Sequence, residues 1–169
     1  KVVAVIGRLC PRKRIRDAIW AGELLKVVRD DVHILIIGDG PQRYQLERFC
    51  ENIEIRDRVH FLGHRNDVDQ IISHLDVVWL ASSHEGFPNS IMESMAAGVP
   101  VVATDIPGNR DLVIHNTTGY LFPVGDRAAL ASWTNHLLDD PEKLRDMGKA
   151  GCAALKNQYP VDTLVHRHA

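Results

Sequence analysis

The sequence is short of cysteine, of aromatic side chains and of surplus positive charge, and it has no long apolar run. Its three cysteines, Cys10, Cys50 and Cys152, are an odd number scattered over 169 residues without a Cys-x-x-Cys pair. That excludes a disulfide framework and points to a reducing, cytoplasmic setting. Lys and Arg number 20 against 22 Asp and Glu, for a net charge of -2, and no basic stripe recurs along a helix face. A nucleic-acid partner is therefore not expected. No segment approaches the ~18 apolar residues that cross a bilayer, so nothing in this sequence spans a membrane, and peripheral membrane association of the full-length protein stays open. Also missing is the Gly-x-x-x-x-Gly-Lys-[Ser/Thr] run of a phosphate-loop nucleotidase. Lys1 stands directly before a strand-like run, with no initiator methionine or signal peptide, and the chain reads as a piece of something longer.

Nine histidines are present, but they form no ligand pattern at helical or hairpin spacing, and no metal site is expected. Asn116-Thr117-Thr118 matches a glycosylation sequon; in a cytoplasmic protein it is a polar turn before Gly119.

What the chain does have is alternation. Short runs rich in β-branched residues, Val2 to Ile6, Val32 to Ile37, Val59 to Leu62, Val77 to Leu80, Val101 to Thr104 and Gly119 to Phe122, are candidate strands. Several are apolar throughout, as parallel strands covered on both faces must be. Between them, residues 14–28, 42–52, 67–74, 90–97 and 127–138 carry helical spacing, and a last helix runs from about Pro141 to Asn157. The fold class is α/β, a doubly wound, mostly parallel Rossmann-like sheet with helices on both faces over residues 1–158, followed by a tail at 159–169.

In such a sheet ligands bind at the carboxyl ends of the strands. The loop Gly7-Arg8-Leu9-Cys10-Pro11-Arg12-Lys13-Arg14 follows the first strand. Pro11 suits a first helical position, which would place Arg12, Lys13 and Arg14 against the helix macrodipole. A bound anion would reverse that penalty, and Arg8 and Lys13 are the candidate diphosphate clamp; a solvated basic face is the other reading. Gly38-Asp39-Gly40-Pro41 lacks the third glycine of a dinucleotide fingerprint and reads as a tight turn beside the crevice. In Gly63-His64-Arg65-Asn66-Asp67, His64 and Arg65 suit contact with a flat base, while Asn66 or Asp67 equally suits a helix cap.

The strongest signal is Glu85-Gly86-Phe87-Pro88-Asn89-Ser90-Ile91-Met92-Glu93, two carboxylates eight positions apart across a turn that becomes a helix. Unpaired N–H groups at the helix start lie between them, an arrangement suited to a ligand with hydroxyls at both ends and a phosphate in the middle. Ser90 to Glu93 also matches a capping box, so Glu93 is as readily a cap as a ligand. No structural role claims Glu85. A glycosidase dyad would need the two acids facing each other across a sugar cleft, and aromatic content is only 6%.

Together these motifs resemble glycosyltransferase family 4. Gly7-Arg8-Leu9 with Lys13, Ile37-Gly38-Asp39-Gly40-Pro41 and Phe61-Leu62-Gly63 are similar to the first half of its pattern. Glu85-Gly86-Phe87-Pro88 through Glu93, then Gly98-Val99-Pro100-Val101-Val102-Ala103-Thr104, are similar to the second, and the match runs in order over about residues 2 to 158. The resemblance implies a retaining, metal-independent transferase of GT-B architecture, with two Rossmann-like domains across a cleft, no cofactor and a nucleotide diphosphate sugar as donor. This chain would be the C-terminal, donor-binding half, partnered by an N-terminal domain of the same full-length protein that takes an unknown acceptor such as a glycan or lipid.

By position, Arg8 and Lys13 would hold the diphosphate, Glu93 the ribose hydroxyls and Glu85 the transferred sugar, with Gly86, Phe87, Pro88, Asn89 and Ser90 lining the sugar and phosphate site. A nucleotide-sugar module without catalysis and a dinucleotide-binding domain are the alternatives. Two departures stand out: Pro107 and Asp111 replace a glycine and a glutamate in the loop from Thr104, and Arg14 replaces a glycine after Lys13.

Overall fold

The computed structural model describes residues 1–158, so the tail at 159–169 lies outside the described residues. The strands are β1 (Val2–Ile6), β2 (His33–Ile37), β3 (Val59–Gly63), β4 (Val77–Leu80), β5 (Val101–Thr104) and β6 (Gly119–Phe122). Helices α1 (Ile15–Val28), α2 (Arg43–Asn52), α3 (Val68–Ile72), α4 (Asn89–Ala96), α5 (Pro107–Arg110), α6 (Arg127–Asp139) and α7 (Pro141–Gln158) connect and cover them. The sheet has the order β3-β2-β1-β4-β5-β6 with every neighbouring pair parallel. Winding reverses between β1 and β4, and a crevice opens beyond the ends of these two strands.

Side chains alternate even where the strands are uniformly apolar. Val3, Val5, Ile34, Ile36, Trp79 and Val102 enter one core with residues of α1, α2 and α6. Ala4, Ile6, Ile37, Val78, Leu80 and Ala103 enter a second core with residues of α4 and α7. Two covered faces explain why these strands have no polar alternation. Cys50 lies in the first core at 0% exposure, and burial pushes its thiol up to about 11, so it behaves as a small hydrophobe. Among the described residues no helix is long and apolar enough to cross a membrane.

The Gly-x-Gly after β2 serves close backbone packing. Gly38 has φ +137, and a Cβ there would lie 2.0 Å from the Gly7 carbonyl oxygen. Leu9 N donates to Asp39 O (3.0 Å) and Gln42 N to Leu9 O (3.1 Å), which locks the loops after β1 and β2 together. The Thr104–Asp111 segment, whose shape the sequence left open, contains α5. Pro107 starts that helix, and Gly108 sits on the backbone of the loop after β4: a Cβ there would be 2.4 Å from the Glu85 carbonyl oxygen.

Candidate functional site at the switch point

The loop after β1 departs from expectation. Pro11 begins a separate 3-10 turn, Pro11–Lys13, and α1 starts only at Ile15, so Arg12 and Lys13 are not in its first turn. The break comes at Arg14, in the left-handed region at φ 50, whose N–H closes the turn on Pro11 O at 3.1 Å. Arg14 is held by the buried Asp17 (Nε to Oδ2, 2.6 Å), and Asp17 also takes Arg127 Nε at 2.8 Å. Its charge is thus used within the fold.

Lys13 runs back over Gly7, where a Cβ would be 3.4 Å from Lys13 Cε, and its Nζ donates to Glu85 Oε1 at 2.6 Å. Ser83 N donates to Arg12 O at 2.9 Å and joins the same two loops. Glu85 therefore has a structural partner, contrary to expectation. It is 8% exposed and also accepts the Ser82 hydroxyl at 2.6 Å. Adjacency of β1 and β4 in the sheet makes this contact across 72 positions.

The capping box does not form. Pro88 is at the N-cap, its carbonyl accepting Ile91 N at 3.0 Å, and α4 begins at Asn89, one residue earlier than expected. Ser90 is then the second helical residue and Glu93 the fifth, too far along to reach the cap. Glu93 is an exposed residue whose carboxylate makes no hydrogen bond or ion pair with the described residues. Desolvation by its surroundings, and then the charge of Asp69, push its pKa above the ordinary glutamate value. Of the other residues in this turn, Phe87 and Asn89 are exposed, whereas Pro88 and Ser90 are buried.

A cavity of about 760 Å³ opens at the switch point, lined by Ile6, Gly7, Arg8, Ile37, Gly38, Asp39, His64, Arg65, Asn66, Val68, Asp69 and Glu93. It brings together Arg8, His64, Arg65 and Glu93 from the expected set, while Lys13, Glu85 and residues 86–90 are not in its lining. The loop after β3 turns at Gly63 (φ 70). Asp67 occupies the N-cap of α3 but makes no cap bond; it holds Arg65 in a fork (2.8 and 2.6 Å). Asp39 lies in the turn expected beside the crevice, whereas Asp69 was not foreseen as a lining residue. Asp69 had a faint signal, an acid in the first turn of a helix at the ligand end of the sheet. Among the described residues no three His, Cys, Asp or Glu side chains gather as metal ligands.

A parallel sheet with this strand order, with basic and acidic loops meeting at its switch point, defines a Rossmann-like domain, and its structural neighbours place it in the GT-B class. S. aureus TarM, in a complex with UDP, superposes with a TM-score of 0.94 at 25% identity, over 98% of this chain and 34% of that one. Anabaena HepE in complex with UDP-glucose superposes at 0.90 with 30% identity, over 96% of this chain and 46% of that one. Residues 1–153 match the Glycosyl transferases group 1 family, and the chain belongs to it. Among curated relatives, N-acetyl-alpha-D-glucosaminyl L-malate synthase of Bacillus anthracis is 32% identical over 169 residues, 99% of this chain and 44% of the relative. The chain thus spans under half the length of that relative.

Proposed function

We propose that this chain is the donor-binding domain of a retaining, metal-independent glycosyltransferase that uses a nucleotide diphosphate sugar. The observation that carries the reading is the meeting of Lys13 and Glu85 across the β1 and β4 loops, next to a cavity holding Arg8 and an unpartnered Glu93. The relatives' complexes with UDP and UDP-glucose support the donor class.

In this reading the nucleoside lies in the cavity, with its base near His64 and Arg65 and its ribose hydroxyls donating to Glu93. The diphosphate lies over the loop of Arg8 and Lys13 and the N–H groups that open α4. As the glycosidic bond breaks, negative charge collects on the leaving diphosphate, and two cations with oriented N–H groups stabilise it without reorganising. Glu85 then faces the sugar and stabilises or orients its cationic character. The acceptor, a glycan or lipid, comes to the other wall of the cleft, supplied by an N-terminal domain of the full-length protein. The isolated chain should bind donor and transfer nothing.

A thermal-shift screen against UDP-sugars, GDP-sugars and NAD tests this. At 100 times its Kd a ligand that binds only the folded state stabilises by about 2.7 kcal/mol, which is about 5–10 °C for a domain of this size. A shift with NAD and none with any nucleotide sugar would overturn the reading.

A further inference from the structure

Glu85 stands on a row of buried polar side chains, Ser82, Thr104 and Asn109, of which only Thr104 falls within a motif above and none was a candidate site residue. Ser82, Thr104 and Asn109 are each 0% exposed, although they lie at the carboxyl ends of β4 and β5 and in α5, beside a ligand crevice. Burying three such groups is costly unless their bonds are matched, so their connectivity is informative.

That connectivity can be worked out by elimination. The Thr104 carbonyl can only accept, so the Asn109 side-chain atom 2.9 Å from it is the amide nitrogen, which sets the amide's orientation. The same nitrogen donates to Thr104 Oγ1 at 3.1 Å. Thr104 has a single hydroxyl proton, and the acceptor in best reach is Ser82 O at 2.6 Å, with Leu80 O at 3.4 Å. Ser82 Oγ in turn gives its only proton to Glu85 Oε1. Asn109 Oδ1 is left buried without a partner, so the amide is held for its two donor contacts at a cost.

Both donors to Glu85, Ser82 Oγ and Lys13 Nζ, reach the same oxygen, Oε1. Oε2 accepts no hydrogen bond from the described residues and is not among the polar atoms sealed from solvent. One oxygen of the carboxylate is anchored and the other is unbonded and keeps contact with solvent.

We propose that Ser82, Thr104 and Asn109 are positioning residues that fix the rotation of the Glu85 carboxylate so that Oε2 is presented to the sugar of the donor. The proposal rests on the donor-site reading above. The relay ends at Glu85 Oε1, the oxygen that also holds Lys13, and none of its bonds reaches Arg8, His64 or Glu93 at the nucleotide end. Its removal therefore affects turnover and leaves nucleotide affinity in place.

The test uses the full-length protein, with donor turnover, nucleotide Kd and melting temperature as readouts. Thr104→Val keeps the shape and removes the hydroxyl, and it should lower kcat about tenfold or more with nucleotide Kd changed less than about twofold. Thr104→Ser should restore most of the loss, and Ser82→Ala, which removes only the last bond, should repeat the Thr104→Val effect. In a Glu85→Gln background Thr104→Val should cost little more, because both act through one carboxylate. Equal losses in the two backgrounds, or a Thr104→Val loss of nucleotide affinity that follows melting temperature and is not rescued by serine, would overturn the relay and leave the donor reading standing. If the unmutated protein binds no nucleotide sugar, the donor reading falls and the relay falls with it.

Discussion

Replacing Lys13 with methionine would expose the energetics of the central ion pair. The Lys13 and Glu85 side chains are 15% and 6% exposed, with 2.6 Å between Nζ and Oε1. At that distance and an effective dielectric of about 20, the gross attraction is roughly 6 kcal/mol. Desolvation offsets much of it in the intact pair, but removing one partner leaves the other charge buried with only the Ser82 hydroxyl, a loss of about 3–5 kcal/mol. Against a total stability of about 5–15 kcal/mol, such a loss is easily measured. Urea unfolding of the wild type, Lys13→Met, Glu85→Gln and the double variant closes a thermodynamic cycle. The double variant should recover most of the Lys13→Met loss, since no charge is then left unpaired. The same substitution should weaken binding of a nucleoside diphosphate while leaving binding of the bare nucleoside unchanged, because Lys13 lies outside the nucleoside cavity. A Lys13→Met loss below about 1 kcal/mol, with additive single variants, would refute the account of the pair.

Three further outcomes follow from the geometry. Gly108→Ala puts a methyl 2.4 Å from the Glu85 carbonyl oxygen and 3.1 Å from that of Gly86, so backbone must move; a loss of about 1–3 kcal/mol in denaturant unfolding is expected, and unchanged stability would contradict that packing. The raised pKa of Glu93 means that acid removes the ribose acceptor early: nucleotide affinity should rise as pH climbs through the raised pKa and then level off, with proton release on binding in calorimetry at acid pH. Asp69→Asn should move that rise to lower pH, and an affinity flat across the acid range would argue against Glu93 as a ligand. Burial, then the neighbouring His33, holds His60 below the ordinary 6.5, with the two rings 3.1 Å apart between Nδ1 and Nε2. The unfolded chain then binds the proton more readily, so stability falls as pH drops through 6.5 toward the folded pKa and is constant below it; His60→Gln should flatten that slope in pH-dependent unfolding, and an unchanged slope would rule the pair out as its source.

Much of the fold was legible in the chain because its signals are local. A strand buried on both faces must be apolar over consecutive residues, and a helix on a sheet must repeat its apolar face every three to four positions. Val77 to Leu80 and Arg127–Asp139 could be read on those grounds almost to the residue. Helix starts were less secure: Ser90 looked like a cap by composition, but the Pro88 carbonyl began the helix first, and Arg14 broke what Pro11 had seemed to begin.

By itself the sequence determined the α/β class, the strands and every helix but α5 and the 3-10 turn at Pro11–Lys13, and the chemistry gathered at the loop ends, including Arg8, Lys13, Glu85 and Glu93. Only the tertiary structure decided which of these meet. Lys13 finds Glu85 because β1 lies beside β4, and Glu93 stays unpaired because α4 carries it to the cavity wall. Ser82, Thr104 and Asn109 become one buried row because β4, β5 and α5 converge there. Residue pattern reflects burial and local hydrogen bonding, whereas partners far apart in the chain are set by strand order, which leaves no periodic trace in a single sequence.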